Sequence, residues 1–362
     1  MRNAANFIHL SRLIIWIAVL GSLSIAPALA AAPNAPSNNE NVQVNLESCQ
    51  ILAANKDGNK SCLNAISALY RGLDGPVDYI AARQLSEMAC ASRIAEGCNF
   101  LGAMQEDGKG GPQDFAAADS SFELACLYGN GGGCFNRAQL IVNDKSPVKD
   151  LIVARASYIK ACDKNVASAC NNYGAMLLNG KGVGKDPFAA RAMFDVACGA
   201  GNVDGCTNFG EMLINAPAQE GDAERGLNLL TSACEQQNVR ACSLKGSIYH
   251  YGRLGKKEFP RDYQVARAAY ETACRGGNTE ACWRIAQFFY EGKGGPQDLP
   301  EARGLFGALC KQDIGTACFF YGDMLKTGEG GPQDYQGGKK AITKGCKLGY
   351  PTACAADRRK KK

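Results

Sequence analysis

Histidine is almost missing from this chain: His9 and His250 are the only two among 362 residues, beside eighteen cysteines. That ratio leaves no material for Cys/His zinc sites or a multi-histidine metal centre, and no cofactor or metal is predicted. A charge excess of one sign is missing as well. Forty Lys and Arg face 35 Asp and Glu. Without Arg2 and Arg12 the net charge is +3, and Arg358 to Lys362 alone supply +5, so the body of the chain stands near −2. Such a balance excludes nucleic acid as the expected partner. Disorder is excluded by a composition 46% hydrophobic and 21% charged, and the length exceeds that of one compact core.

One apolar run, Leu13 to Ala26, follows Arg2 and Arg12 and ends at Ala28-Leu29-Ala30, a small-x-small cleavage site. Residues 1–30 therefore read as a secretory signal, with the mature chain starting near Ala31 and carrying no stable membrane span. No cysteine sits at the cleavage point, so a lipoprotein is not expected. The predicted location is the periplasm or the exterior.

The cysteines set the architecture. Eight pairs have seven residues between their members: Cys90 and Cys98, Cys126 and Cys134, Cys162 and Cys170, Cys198 and Cys206, Cys234 and Cys242, Cys274 and Cys282, Cys310 and Cys318, and Cys346 and Cys354. A ninth pair, Cys49 and Cys62, has twelve. The pairs recur every 36 residues, except for 40 between Cys234 and Cys274. A period of this size means a solenoid of stacked supersecondary units. Each unit has two helical segments, A and B, joined by turns such as Gly108 to Asp114, Gly292 to Asp298 and Gly328 to Asp334. The glycines allow positive φ at the end of helix A, and the closing Asp can cap helix B.

Small residues fill two columns. The residue before the second Cys is always small, from Ser61 and Gly97 to Ala353, and four positions after it lie Gly102, Ala138, Gly174, Gly210, Gly246, Ala286 and Gly322, with Ile66 the one departure. Both columns read as close helix packing. A signal and an even cysteine count imply an oxidising compartment. Pairing within each loop uses all eighteen cysteines, whereas pairing across each hairpin would strand Cys49 and Cys354. Nine loop-closing disulfides are therefore predicted, each worth at most about 2.5 kcal/mol on chain-entropy grounds.

The 36-residue unit, Tyr173-Gly174, the GxGxxxD turns and the Ala-Cys close of helix B resemble Sel1-like repeats, and the seven-residue cysteine loops resemble the Helicobacter cysteine-rich protein family. A tetratricopeptide repeat is the near alternative, with a period of 34. The resemblance covers about residues 45 to 356. It implies an all-α, right-handed superhelical solenoid of eight repeats with a concave face lined by helices A. It also implies protein or peptide binding and, for some members, weak β-lactamase activity with penicillin binding. The predicted organisation is a signal at 1–30, an N-terminal extension and capping helix at 31–61, eight repeats at 62–346, and a C-terminal cap and basic tail at 347–362. The longer loop between Cys49 and Cys62, the four-residue insertion near Gly255 and the tail depart from the family pattern.

A β-lactamase needs a serine nucleophile with a base, or a metal-bound hydroxide. Ser157-Tyr158-Ile159-Lys160 matches SxxK and Lys326-Thr327-Gly328 matches KTG. Nearly five repeats separate them, on the order of 40 Å, so they cannot share a pocket. No catalytic residue is assigned; an enzyme, if this is one, would be a β-lactamase-type hydrolase. His250, beside the insertion, reads as loop packing or as a functional group in a modified loop.

Asparagines recur two positions after the second Cys, at Asn64, Asn136, Asn172 and Asn208. They can satisfy backbone groups near helix starts, or project carboxamides into the groove and hold an extended peptide. In later repeats Leu244, Arg284 and Phe320 take their place, and Trp283 with Arg284 would form an anchor pair. The expected partner is a protein or extended peptide, such as a cell-wall peptide. A structural envelope spacer needs only the solenoid. The basic tail reads as a solvated end or as a contact with anionic envelope polymer or lipid. Oligomeric state is left open.

Overall fold

A computed structural model describes residues 56–73 and 75–358. The predicted signal, most of the 31–61 extension including Cys49, and tail residues 359–362 lie outside the described residues.

Helices alternate as A and B along the chain. Unit one is α1 (Lys56–Arg71) and α2 (Tyr79–Ala91); unit two is α3 (Ala95–Asp107) and α4 (Phe115–Leu127). Unit three is α5 (Gly131–Val142) and α6 (Leu151–Asp163); unit four is α7 (Ala167–Asn179) and α8 (Pro187–Gly199). Unit five is α9 (Val203–Asn215) and α10 (Asp222–Glu235); unit six is α11 (Val239–Tyr251), a hairpin of β1 (Arg253–Leu254) and β2 (Lys257–Glu258), and α12 (Tyr263–Arg275). Unit seven is α13 (Thr279–Glu291) and α14 (Leu299–Lys311), unit eight α15 (Gly315–Thr327) and α16 (Tyr335–Lys347), and α17 (Pro351–Arg358) closes the stack. Each helix packs on its sequence neighbours, so the core is a ribbon along the solenoid. Helix α1 runs through Cys62 without a break.

Local chemistry sets the boundaries. Gly108, Gly180, Gly252, Gly292 and Gly328 end helices A with φ between 67° and 85°. Asp78, Asp114, Asp150, Asp186, Asp262, Asp298 and Asp334 cap seven of the eight helices B, accepting from first-turn N–H groups such as those of Ala116 and Ala117. The exception is α10, which starts after Gly221. There the Asp222 carboxylate accepts from the Ala218 and Gln219 N–H groups at 2.8 and 3.1 Å and from Arg191 of α8 at 2.7 Å. These donors, Arg191 foremost, hold its carboxyl down to about 2.

The small column four places after the second Cys meets a bulky column on the paired helix B. A Cβ added to Gly102, Gly174 or Gly246 would stand 2.6 to 2.8 Å from the rings of Phe122, Phe194 and Tyr270. Ile66 departs because its positional counterpart is Ser86: both are fully buried, and the Ser86 hydroxyl donates to the Ala82 carbonyl at 2.8 Å. Size is balanced across the pair, not fixed at the single position.

Eight of the predicted loop closures are present as disulfides. They join Cys90 to Cys98, Cys126 to Cys134, Cys162 to Cys170, and Cys198 to Cys206. The series continues with Cys234 to Cys242, Cys274 to Cys282, Cys310 to Cys318, and Cys346 to Cys354. Each ties the end of a helix B to the start of the next helix A across a Cα separation of 4.3 to 4.8 Å. The ninth predicted closure, from Cys49 to Cys62, rests on a cysteine outside the described residues. No described cysteine is free.

The third residue after the first Cys is left-handed in all eight loops: Gly129, Gly201, Gly277 and Gly349, but also Arg93, Asn165, Gln237 and Asp313 with φ of 61° to 64°. The insertion in unit six is not a loose loop. Its strands pair antiparallel, Arg253 opposite Glu258, and bury Leu254 to 3% exposure.

Candidate functional site: the face of helices A

From unit two onward the second turn of each helix A presents the two residues after the second Cys. In units two to five these residues hydrogen-bond between repeats. Asn136 donates to Asn99 at 2.9 Å, and Asn208 donates to Asn171 at 2.7 Å. Between these pairs, Asn171 donates to Asn172 at 3.3 Å and Asn172 to the Tyr158 hydroxyl at 3.4 Å, which itself donates to Gln139 at 2.7 Å. Asn64 is exposed. Helix capping falls to another column, four places before the second Cys: Asn130, Asn202, Asn238 and Asn278 accept from the N–H groups of Gly133, Gly205, Ala241 and Ala281 at 2.6 to 2.9 Å. The signal for it is in the sequence, an Asn three residues ahead of a small residue at a helix start, whereas for the asparagines after the Cys the sequence left capping and groove binding both open. A carboxamide with four bonding sites keeps some in reserve. The Asn136 carbonyl, for instance, accepts no bond among the described residues.

From unit five onward the face becomes charged and aromatic. Arg240 donates to Asn208 at 2.5 Å and pairs with Glu211. Arg284 pairs with Glu280 at 2.7 Å and lies 5.7 Å from the centre of the Tyr251 ring. Trp283 points elsewhere, packing at 5.4 and 5.5 Å from the rings of Phe306 and Phe320. The anticipated Trp283–Arg284 pair is thus split: the indole serves packing between units seven and eight, and the guanidinium serves the face.

His250 sits in an aromatic box. Its ring stacks on Tyr251 at 4.4 Å, meets Phe288 edge-on at 4.9 Å, and places Nδ1 3.4 Å from the Tyr270 hydroxyl. Burial first, then the positive charges of Arg284 and Lys293, push its pKa below the ordinary imidazole value. Ser157 is 4% exposed on α6 in unit three, whereas Lys326 belongs to α15 in unit eight and stands over the Tyr335 ring. The two motifs do not meet.

The face is hollowed where unit five meets unit six. A cavity of about 310 Å³ opens between α9 and α11, lined by Glu211, Asn215, Leu244, Ser247, Tyr251 and Arg253. It adjoins a second of about 660 Å³ between the 216–221 loop and the hairpin, and both share Ile214 and Asn215. Arg253 is exposed and its guanidinium makes no bond among the described residues. The sequence marked this place only as an insertion, because two helices one repeat apart form its walls.

Fold and face define a disulfide-stapled α/α repeat scaffold. The chain belongs to the Sel1 repeat family: that repeat matches residues 62–92, 95–118, 167–202, 210–238, 279–313 and 315–349, more than half of the chain. Units three and six fall largely between the matches, and both have altered A-to-B turns. Among solved structures, a protective antigen with an SLR fold from uropathogenic Escherichia coli is similar at 19% identity and a TM-score of 0.73, covering 89% of this chain and 67% of its own. A Sel1 repeat protein from Oxalobacter formigenes is similar at 20% identity and a TM-score of 0.64, covering 92% and 97%. Both share the right-handed α/α solenoid. No curated protein matches the chain.

Proposed function

We propose that the protein is an exported interaction scaffold that binds an extended segment of a partner protein or peptide along its concave face of helices A. The observation that carries this reading is the hollow at units five and six. It offers an apolar floor from Leu244 and Tyr251, an uncommitted guanidinium at Arg253, and paired charges and carboxamides on either side. Apolar anchoring with a few convergent polar groups is the ordinary composition of a peptide groove. Export is supported by the eight loop disulfides, which persist only in an oxidising compartment. A cell-wall peptide suits both location and groove chemistry.

The test is an array of extended peptides, including peptidoglycan stem peptides, probed with oxidised mature protein and with a double variant, Tyr251→Ala with Arg253→Ala. The double variant is expected to lose about tenfold or more in affinity for the peptides retained by the parent while staying folded, its unfolding midpoint lowered only by loss of the Tyr251–His250 stack. Undiminished binding by the variant would remove the groove from the reading. Edman sequencing of the protein from its own host is expected to start at Ala31.

A further inference from the structure

The column three places after the second Cys points between consecutive helices B. It is filled by apolar or aromatic groups in most units, such as Leu101, Tyr173, Phe209, Ile285 and Tyr321, and holds a cation in two: Arg137 in unit three and Lys245 in unit six. Arg137 is answered from the preceding helix B. Its guanidinium lies 3.7 Å from Asp119 and 2.7 Å from Glu123, seven and three residues ahead of Cys126. The same two positions ahead of Cys234 are Leu227 and Thr231. Lys245 therefore faces a register that holds neither countercharge, and it makes no ion pair or hydrogen bond among the described residues.

The space around it is also left unfilled. Where units one, four, five and seven place Leu85, Met193, Leu229 and Leu305 on helix B, unit six has Ala269, next to Ala268, a small residue as in units two, three and eight. The result is a cavity of about 570 Å³ between α10 and α12. Lys245, Val265, Ala268 and Ala269 line it, and Glu235 and Arg275 contribute one charge of each sign. Its volume lies within the range of small ligand sites, roughly 300–1,000 Å³. A half-buried ammonium without a partner, next to apolar walls, favours an anion carried on a short apolar stem.

We infer that this cavity is a second binding site, on the side of helices B, and that it receives the acidic side chain of a docked peptide, whose carboxylate takes at Lys245 the place that Asp119 and Glu123 take at Arg137. The site stands apart from the face of helices A and does not depend on what that face binds.

The probe is an Ala-Glu-Ala peptide blocked at both ends, titrated into full-length oxidised protein and followed by amide chemical shifts, with the blocked Ala-Gln-Ala peptide as control. Saturable shifts at Ala268, Thr272 and Gly276 are expected with the acidic peptide only. Lys245→Met, which keeps the bulk and removes the charge, is expected to weaken binding about tenfold or more, the size of one lost charge-assisted hydrogen bond. Thr231→Glu restores the unit-three arrangement and should close the site from within, with the same loss and no fall in thermal stability. Equal binding of the two peptides, parent-like binding by folded Lys245→Met, or no shifts in the parent would each overturn the assignment.

Discussion

His250 is the one imidazole among the described residues, and its environment gives a pH dependence with a definite sign. The aromatic box and the nearby Arg284, Lys293 and Arg261 disfavour the imidazolium, and only Glu291 favours it. With the folded pKa below the unfolded value of about 6.5, the unfolded chain binds more protons over the interval between them. The contribution is therefore complete above about pH 6.5 and is lost as pH falls through that interval. The unfolding midpoint should drop from about pH 7.5 towards acid, and His250→Phe, which keeps the ring packing, should flatten the slope. An unchanged slope in the variant would place the titrating group elsewhere. The residue type and its place beside an insertion were legible in the sequence. The box was not, because Tyr270 and Phe288 come from two other helices, twenty and thirty-eight residues away.

At the scale of the element, helix pairs are matched by complementary size. Gly174 meets Phe194, whereas Ile66 takes the place of the glycine opposite Ser86. Gly174→Ile should therefore cost about 3 kcal/mol through overpacking, and Phe194→Ser in the same chain should recover a substantial part by recreating the unit-one pair. Urea unfolding of the two single variants and the double variant measures the coupling, and strict additivity would contradict it. The glycine column announced close packing from sequence alone. Its bulky counterpart was also present, four residues before the first Cys in every unit but the first, but only the paired helices show that the two columns touch.

For the whole molecule, the disulfides tie each unit to the next and not helix to helix within a unit. Removing one by Cys198→Ser with Cys206→Ser should cost up to about 2.5 kcal/mol and loosen the joint between units four and five. Hydrogen exchange is expected to accelerate around α8 and α9 first, while α2 to α4 and α14 to α16 keep their protection. Uniform acceleration along the chain would mean that the solenoid unfolds as a single block. The asparagine bridges, Asn136 to Asn99 and Asn208 to Asn171, reinforce the same kind of joint from the A side.

Period, helix pairing, turn chemistry and the loop disulfides were determined by the sequence itself, because each depends on residues close together in the chain and is repeated with the 36-residue period. Helix capping by Asp114 or Asp298, the left-handed Gly108 and the Cys90–Cys98 closure are local events of this kind. What the tertiary structure alone decided lies between units. Stacking turned the asparagine column into inter-repeat bridges, divided Trp283 from Arg284, seated the Gly255 hairpin against Ile214 of unit five, and set Lys245 opposite a helix B without the carboxylates that answer Arg137. Each of these depends on side chains and strands brought together by the stacking of helices, across distances no single repeat encodes.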